Sequence, residues 1–143
     1  MLGIKRIDHV SVASGDLEER VRFYTELFGM EVDERFDAPE AGFKGVALKI
    51  PGSPTQWEIL EPMGDDSFLH RFLAERGAGM HHVTFEVEDA SKAAAALRAY
   101  GIEPFGEGVA GDWKQLFIHP RDSGGVLIQL YEIIPGDATK PEA

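Results

Sequence analysis

The chain changes hydrophobic period from strand-like to helix-like twice, in the same order each time. The segment "IDHVSVASGDLEERVRFYTELFG" reads as a strand followed by Leu17, Val21, Tyr24, Leu27 and Phe28 at helical spacing. The segment "MHHVTFEVEDASKAAAALRAYG" repeats it, with Ala90, Ala93, Ala94, Leu97 and Tyr100 at the same intervals. Punctuation repeats too. His9 precedes Asp16 by seven residues and Gly29 by twenty, and His82 precedes Asp89 by seven and Gly101 by nineteen. Asp16 and Asp89 stand at helix N-cap positions, Glu19 completes a capping-box-like pair, and Gly29 and Gly101 are placed to end the helices.

After each helix come three short strand-like runs, "EVDERF", "GVALKI" and "TQWEILEP" in the first copy, "IEPFGEG", "WKQLFIHP" and "VLIQLYEI" in the second. The pattern predicts an α+β fold of two βαβββ modules, about residues 4–62 and 80–133. A connecting helix lies at about 66–77, terminated by Gly77. Two such modules related by a pseudo-two-fold axis form an incomplete barrel within a single domain, residues 1–143. The tail from Pro135, "PGDATKPEA", is expected to fray.

The repeat also pairs polar positions. His9 corresponds to His82 in the first strands, and Glu58 to Gln129 in the last. Glu58 shares a strand face with Gln56 and Leu60, while Trp57 and Ile59 take the other; Gln129 is a polar residue in an apolar run. A polar group in such a strand is costly unless hydrogen-bonded or metal-bound. Two imidazoles, one carboxylate and one amide oxygen make an N2O2 donor set for one divalent cation, with cobalt, manganese, nickel and zinc all admissible. Of the adjacent pair His81 and His82, the repeat selects His82 as ligand and sends His81, the counterpart of Asp8, to the other face.

Composition narrows the partners. A net charge of −11 argues against nucleic acid or an anionic membrane surface. No apolar run is long enough for a membrane span, the N-terminus lacks the pattern of a secretory signal, and cysteine is absent; together these lead us to expect a cytoplasmic protein.

The runs "IDHVSVA", "TQWEILEP", "DDSFLHRFLAERGAGMHHVTFEVED" and "HPRDSGGVLIQL" resemble the vicinal oxygen chelate superfamily (glyoxalases, bleomycin resistance proteins, dioxygenases), and within it most closely the methylmalonyl-CoA epimerase family, over about residues 4 to 132. The resemblance implies that His9 and His82 are metal ligands, joined by Glu58 and Gln129. It also implies a homodimer, and an isomerase that moves the α-proton of a small acyl-CoA or another thioester or thiol adduct.

This chain departs from the epimerase pattern at both expected bases. Gln129 stands where the epimerases carry glutamate, and Val46 is the nearest match to the other base. Glu58, where they carry glutamine, then serves as both ligand and catalytic base, as the glutamate of glyoxalases does. Glu61, Glu132, Lys114 and His119 are the remaining candidates for a second acid. A glyoxalase I-like lactoylglutathione lyase and a non-catalytic small-molecule-binding protein are the alternative functions.

Overall fold

The structure, a computed structural model, describes residues 1–135; the frayed tail expected beyond Pro135 lies outside the described residues. The first module runs β1 (Ile4–Ala13), α1 (Leu17–Phe28), β2 (Glu31–Ala38), β3 (Phe43–Lys49) and β4 (Gln56–Pro62). Helix α2 (Phe68–Arg76) leads to β5 (Gly79–Val87), α3 (Ala90–Tyr100), β6 (Phe105–Ala110), β7 (Trp113–Ile118) and β8 (Ile128–Ile133), with a 3-10 turn at Pro120–Asp122. The fold is α+β, and both modules are βαβββ as the repeat predicts. Strand β6 begins at Phe105 rather than Ile102, since Pro104 has no N–H to give a ladder. No helix among the described residues is long and apolar enough to cross a membrane.

The described residues form two compact units, Asp8–His82 and a second made of residues 1–7 with residues 83–135. In the first, strand order is β2-β3-β4-β1, with β1 parallel to β4 and the other pairs antiparallel. In the second it is β5-β8-β7-β6, again with first and last strands of the module parallel.

Strand alternation gives the sheet of the Asp8–His82 unit two unlike faces. One is apolar: Val12, Val46, Leu48 and Ile59 pack with Leu17 and Val21 of α1. Val46, Leu48 and Ile59 have no exposed surface, and burial on this scale contributes about 1.5–3 kcal/mol per side chain. The other face carries Ser11, Ala13, Gly45, Ala47, Glu58 and Leu60, and Leu69 of α2 covers its Ala13–Leu60 end. Val46, the nearest match to a base position, is therefore a core residue facing away from Glu58, whose cross-strand neighbours are Ala47 and Ser11.

Helices α1 and α3 are held at their starts in the same way. Asp16 accepts from the Glu19 N–H at 3.1 Å and Asp89 from the Lys92 N–H at 2.9 Å, while Gly29 and Gly101 end the helices at φ of 68° and 102°. A second device was not anticipated. Glu61 Oε1 accepts from the Leu17 N–H at 3.1 Å, and Glu132 Oε1 from the Ala90 N–H at 2.9 Å. These glutamates are equivalent in the repeat, three residues beyond Glu58 and Gln129, and each fixes an otherwise unpaired N–H of its own module's helix. Leu27, Phe28 and Tyr100, although in phase with the apolar stripes, stay exposed, so burial stops at Val21 on α1 and at Leu97 on α3.

Removing either glutamate leaves the Leu17 or Ala90 N–H without its side-chain acceptor while Asp16 and Asp89 still cap. Glu61→Ala and Glu132→Ala are each expected to cost about 1 kcal/mol, read as a fall of a few degrees in Tm by calorimetry; an unchanged Tm in both variants would contradict the assignment.

Candidate metal centre

His9, Glu58 and His82 come together. Each offers a ligand atom, and the three atoms lie within 4.8 Å of one another. Among the described residues this is the one group of three or more such side chains brought so close. His9 is on β1, Glu58 on β4 and His82 at the start of β5, so regular strands supply all three. The parallel register sets Ser11 opposite Glu58, and the Ser11 hydroxyl donates to Glu58 Oε1 at 2.6 Å. His9 Nε2 points toward the same oxygen at 3.8 Å, beyond hydrogen-bond length. The rings of His9 and His82 meet edge to face with centroids 5.6 Å apart.

The residue preceding each histidine holds its other nitrogen. Asp8 Oδ2 lies 2.7 Å from His9 Nδ1, and His81 Nδ1 lies 2.8 Å from His82 Nδ1. A carboxylate accepts only, so His9 carries its proton on Nδ1 and turns the Nε2 lone pair toward Glu58. Either Nδ1 of the His81–His82 pair can donate; with the proton on its own Nδ1, His82 would keep Nε2 for a ligand. His81 thus does not simply face away. Its ring packs against Phe68 and Phe72 of α2, with centroids 5.5 and 4.9 Å away, and still reaches its neighbour.

Burial, then the neighbouring His81 and His9, push His82 down to about 3. Burial and Arg76 lower His81 as well. A neutral imidazole is the form that binds a cation, so His82 stands in its ligand form at neutral pH; two imidazoles and one carboxylate are a donor set that suits a borderline divalent ion.

Gln129 belongs to the other unit, where it repeats the arrangement around Glu58. Thr84 stands opposite it on β5 and donates to its Oε1 at 2.9 Å, and its Nε2 donates to Gln115 Oε1 at 2.8 Å. Ser11 and Thr84 were not foreseen as site residues, nor Asp8 and His81 as supports, yet the signal was present: "DHVS" and "HHVT" place supporting residue, histidine and hydroxyl at identical offsets.

The four candidates for a second acid have other work. Glu61 and Glu132 cap helices, Lys114 reaches the Ser91 hydroxyl, and His119 accepts the Arg121 N–H at 3.1 Å in the 3-10 turn. Four large aromatic residues of these strands also pack locally. Trp57 meets Tyr24, Phe43 meets Phe36 and Phe68, Phe117 stacks on Phe105, and Trp113 stacks on Tyr131.

A family model described as the Glyoxalase/Bleomycin resistance protein/Dioxygenase superfamily matches residues 6–130. The chain belongs to that superfamily. Human mitochondrial methylmalonyl-CoA epimerase is 36% identical over 129 residues, covering 87% of this chain and 72% of its own length. An ethylmalonyl-CoA/methylmalonyl-CoA epimerase of Cereibacter sphaeroides is 34% identical over 135 residues, 91% of this chain and 99% of that one. A Streptomyces coelicolor methylmalonyl-CoA epimerase variant, solved in complex with 2-nitronate-propionyl-CoA, superposes with a TM-score of 0.79 at 33% identity over 90% of this chain and 97% of that one. By these relationships the chain is an epimerase-like enzyme.

If Asp8 and His81 orient the ligand rings, Asp8→Ala and His81→Ala each weaken cobalt binding about 10–100-fold in a chelator competition titration. Affinity unchanged in both would contradict the supporting roles.

Proposed function

We propose that the chain is a divalent-cation-dependent epimerase that inverts the α-carbon of a small acyl-CoA, with methylmalonyl-CoA as the first substrate to test. The observation that carries this reading is the convergence of His9, Glu58 and His82 within 4.8 Å, in a chain related to epimerases over most of its length.

The α-proton of a thioester that also bears a carboxylate is weakly acidic, and its removal leaves negative charge on oxygen. A divalent cation held by His9, Glu58 and His82 supplies the positive charge that stabilises this anion. Gln129, the amide counterpart of Glu58, is held within its own unit by Thr84 and Gln115. The proton itself is the business of this chain's own carboxylate. Glu58 is partly buried, with 19% of its side chain exposed, and the Ser11 hydroxyl holds one oxygen in place. The carboxylate takes the proton. Asp8 and His81 keep the two imidazoles in one tautomer while this happens.

A lyase acting on a glutathione thiohemiacetal is the second reading, favoured by the carboxylate standing in β4. It uses the same base.

Proton NMR of methylmalonyl-CoA in heavy water tests the proposal. With metal-reconstituted protein the α-proton signal decays faster than in a metal-free control, and Glu58→Gln slows the decay by about 100-fold or more. Full turnover by a Glu58→Gln protein that retains its metal would overturn the role of Glu58. Persistence of the signal with wild-type protein and bound metal, alongside turnover of the methylglyoxal–glutathione adduct, would favour the lyase.

A further inference from the structure

Inversion needs a proton donor on the face of the carbon opposite the base, and the residues expected for that task are committed elsewhere. The front of the Asp8–His82 sheet, the face bearing Glu58, supplies another. Strand β2 has a bulge: Val32 pairs with Leu48 and Glu34 with Ala47, so Asp33 is the extra residue. Bulges redirect side chains and bring two consecutive ones to one side. The flanking contacts fix the sides. Arg35 reaches back to Glu18 of α1 at 2.7 Å, while the Phe36 ring lies over Gly45 on the front, 2.6 Å from where a Cβ would stand.

Asp33 and Glu34 therefore both reach the front. Asp33 is engaged there, accepting from Gln56 Nε2 at 2.6 Å and lying 3.5 Å from Lys49 Nζ. Glu34 is exposed and heads a row that crosses the sheet as Glu34, Ala47, Glu58 and Ser11. Between the two glutamates stands only the methyl group of Ala47. Two strand spacings separate their backbones, about 10 Å, which two glutamate side chains can close to flank a carbon centre.

We propose that Glu34 is the second acid–base residue, acting from across Ala47 on the carbon that Glu58 addresses; this rests on the epimerase reading. In one direction the Glu58 carboxylate takes the α-proton: the C–H bond breaks and its electron pair moves into the carbonyl to give the enolate. Glu34, as the carboxylic acid, gives its proton to the opposite face. A new C–H bond forms, the carbonyl is restored, and Glu34 is left as carboxylate with Glu58 protonated. The reverse direction starts from that state, and exposure of Glu34 lets it exchange protons with water between turnovers.

The test uses each enantiomer of methylmalonyl-CoA in heavy water with metal-loaded Glu34→Gln, following α-proton exchange and inversion separately. Inversion falls about 100-fold or more, while exchange persists within a few-fold for the one enantiomer whose proton faces Glu58. Glu34→Asp restores part of the inversion, and cobalt affinity and Tm match wild type. Inversion by Glu34→Gln at the wild-type rate would overturn the assignment, as would equal loss of exchange in both enantiomers with metal still bound. No exchange by the metal-loaded wild-type protein would instead overturn the epimerase reading, and this assignment with it.

Discussion

The register of the parallel pair formed by the first and last strands of each module is the constraint on which the rest depends. It sets Ser11 opposite Glu58 in one module and Thr84 opposite Gln129 in the other. Because side chains alternate along a strand, a slip of one residue exchanges the faces. Ile59, now fully buried beneath α1, would turn to the polar face, and Glu58 would enter an apolar core with no partner. An unpaired carboxylate there is costly enough to exclude that register. Core and site are thus two consequences of one alignment, which buries Ile59 and turns Glu58 to the opposite face.

The two modules share this scaffold but not its chemistry. In each, the residue before the histidine holds Nδ1, the hydroxyl two positions after it donates to the last strand, and a glutamate further along that strand caps the helix. The asymmetry is Glu58 against Gln129. An amide oxygen can bind a cation but cannot take a proton at neutral pH, so in the proposed reaction acid–base work falls to the module that carries the carboxylate. The bulge in β2 is in that same module, where it brings Asp33 and Glu34 to the carboxylate's face.

Much of this was legible in the sequence because the repeat writes it twice. The βαβββ order, the N-cap aspartates and the convergence of His9, Glu58 and His82 follow from paired positions and alternation. The register breaks of β2 and β6 carry no such signal. "EVDERF" contains no glycine to mark a bulge, so the sidedness of Glu34 emerges only from its pairing with Ala47. Val46 was matched to a base position by its place in a run, and one residue of offset separates the apolar face from the polar one. His81 was assigned by backbone alternation, which fixes where a Cβ points but not where a ring reaches when aromatic neighbours on α2 pack around it.

The central claim is that the strands of a twofold-repeated scaffold deliver two imidazole Nε2 atoms and one carboxylate to a single cation. Anomalous diffraction from crystals of the cobalt-loaded protein tests it most directly. One strong cobalt peak per chain is expected, bonded to Nε2 of both His9 and His82 and to an oxygen of Glu58. A peak bonded through Nδ1 of either ring, or one seated away from these three side chains, would contradict it.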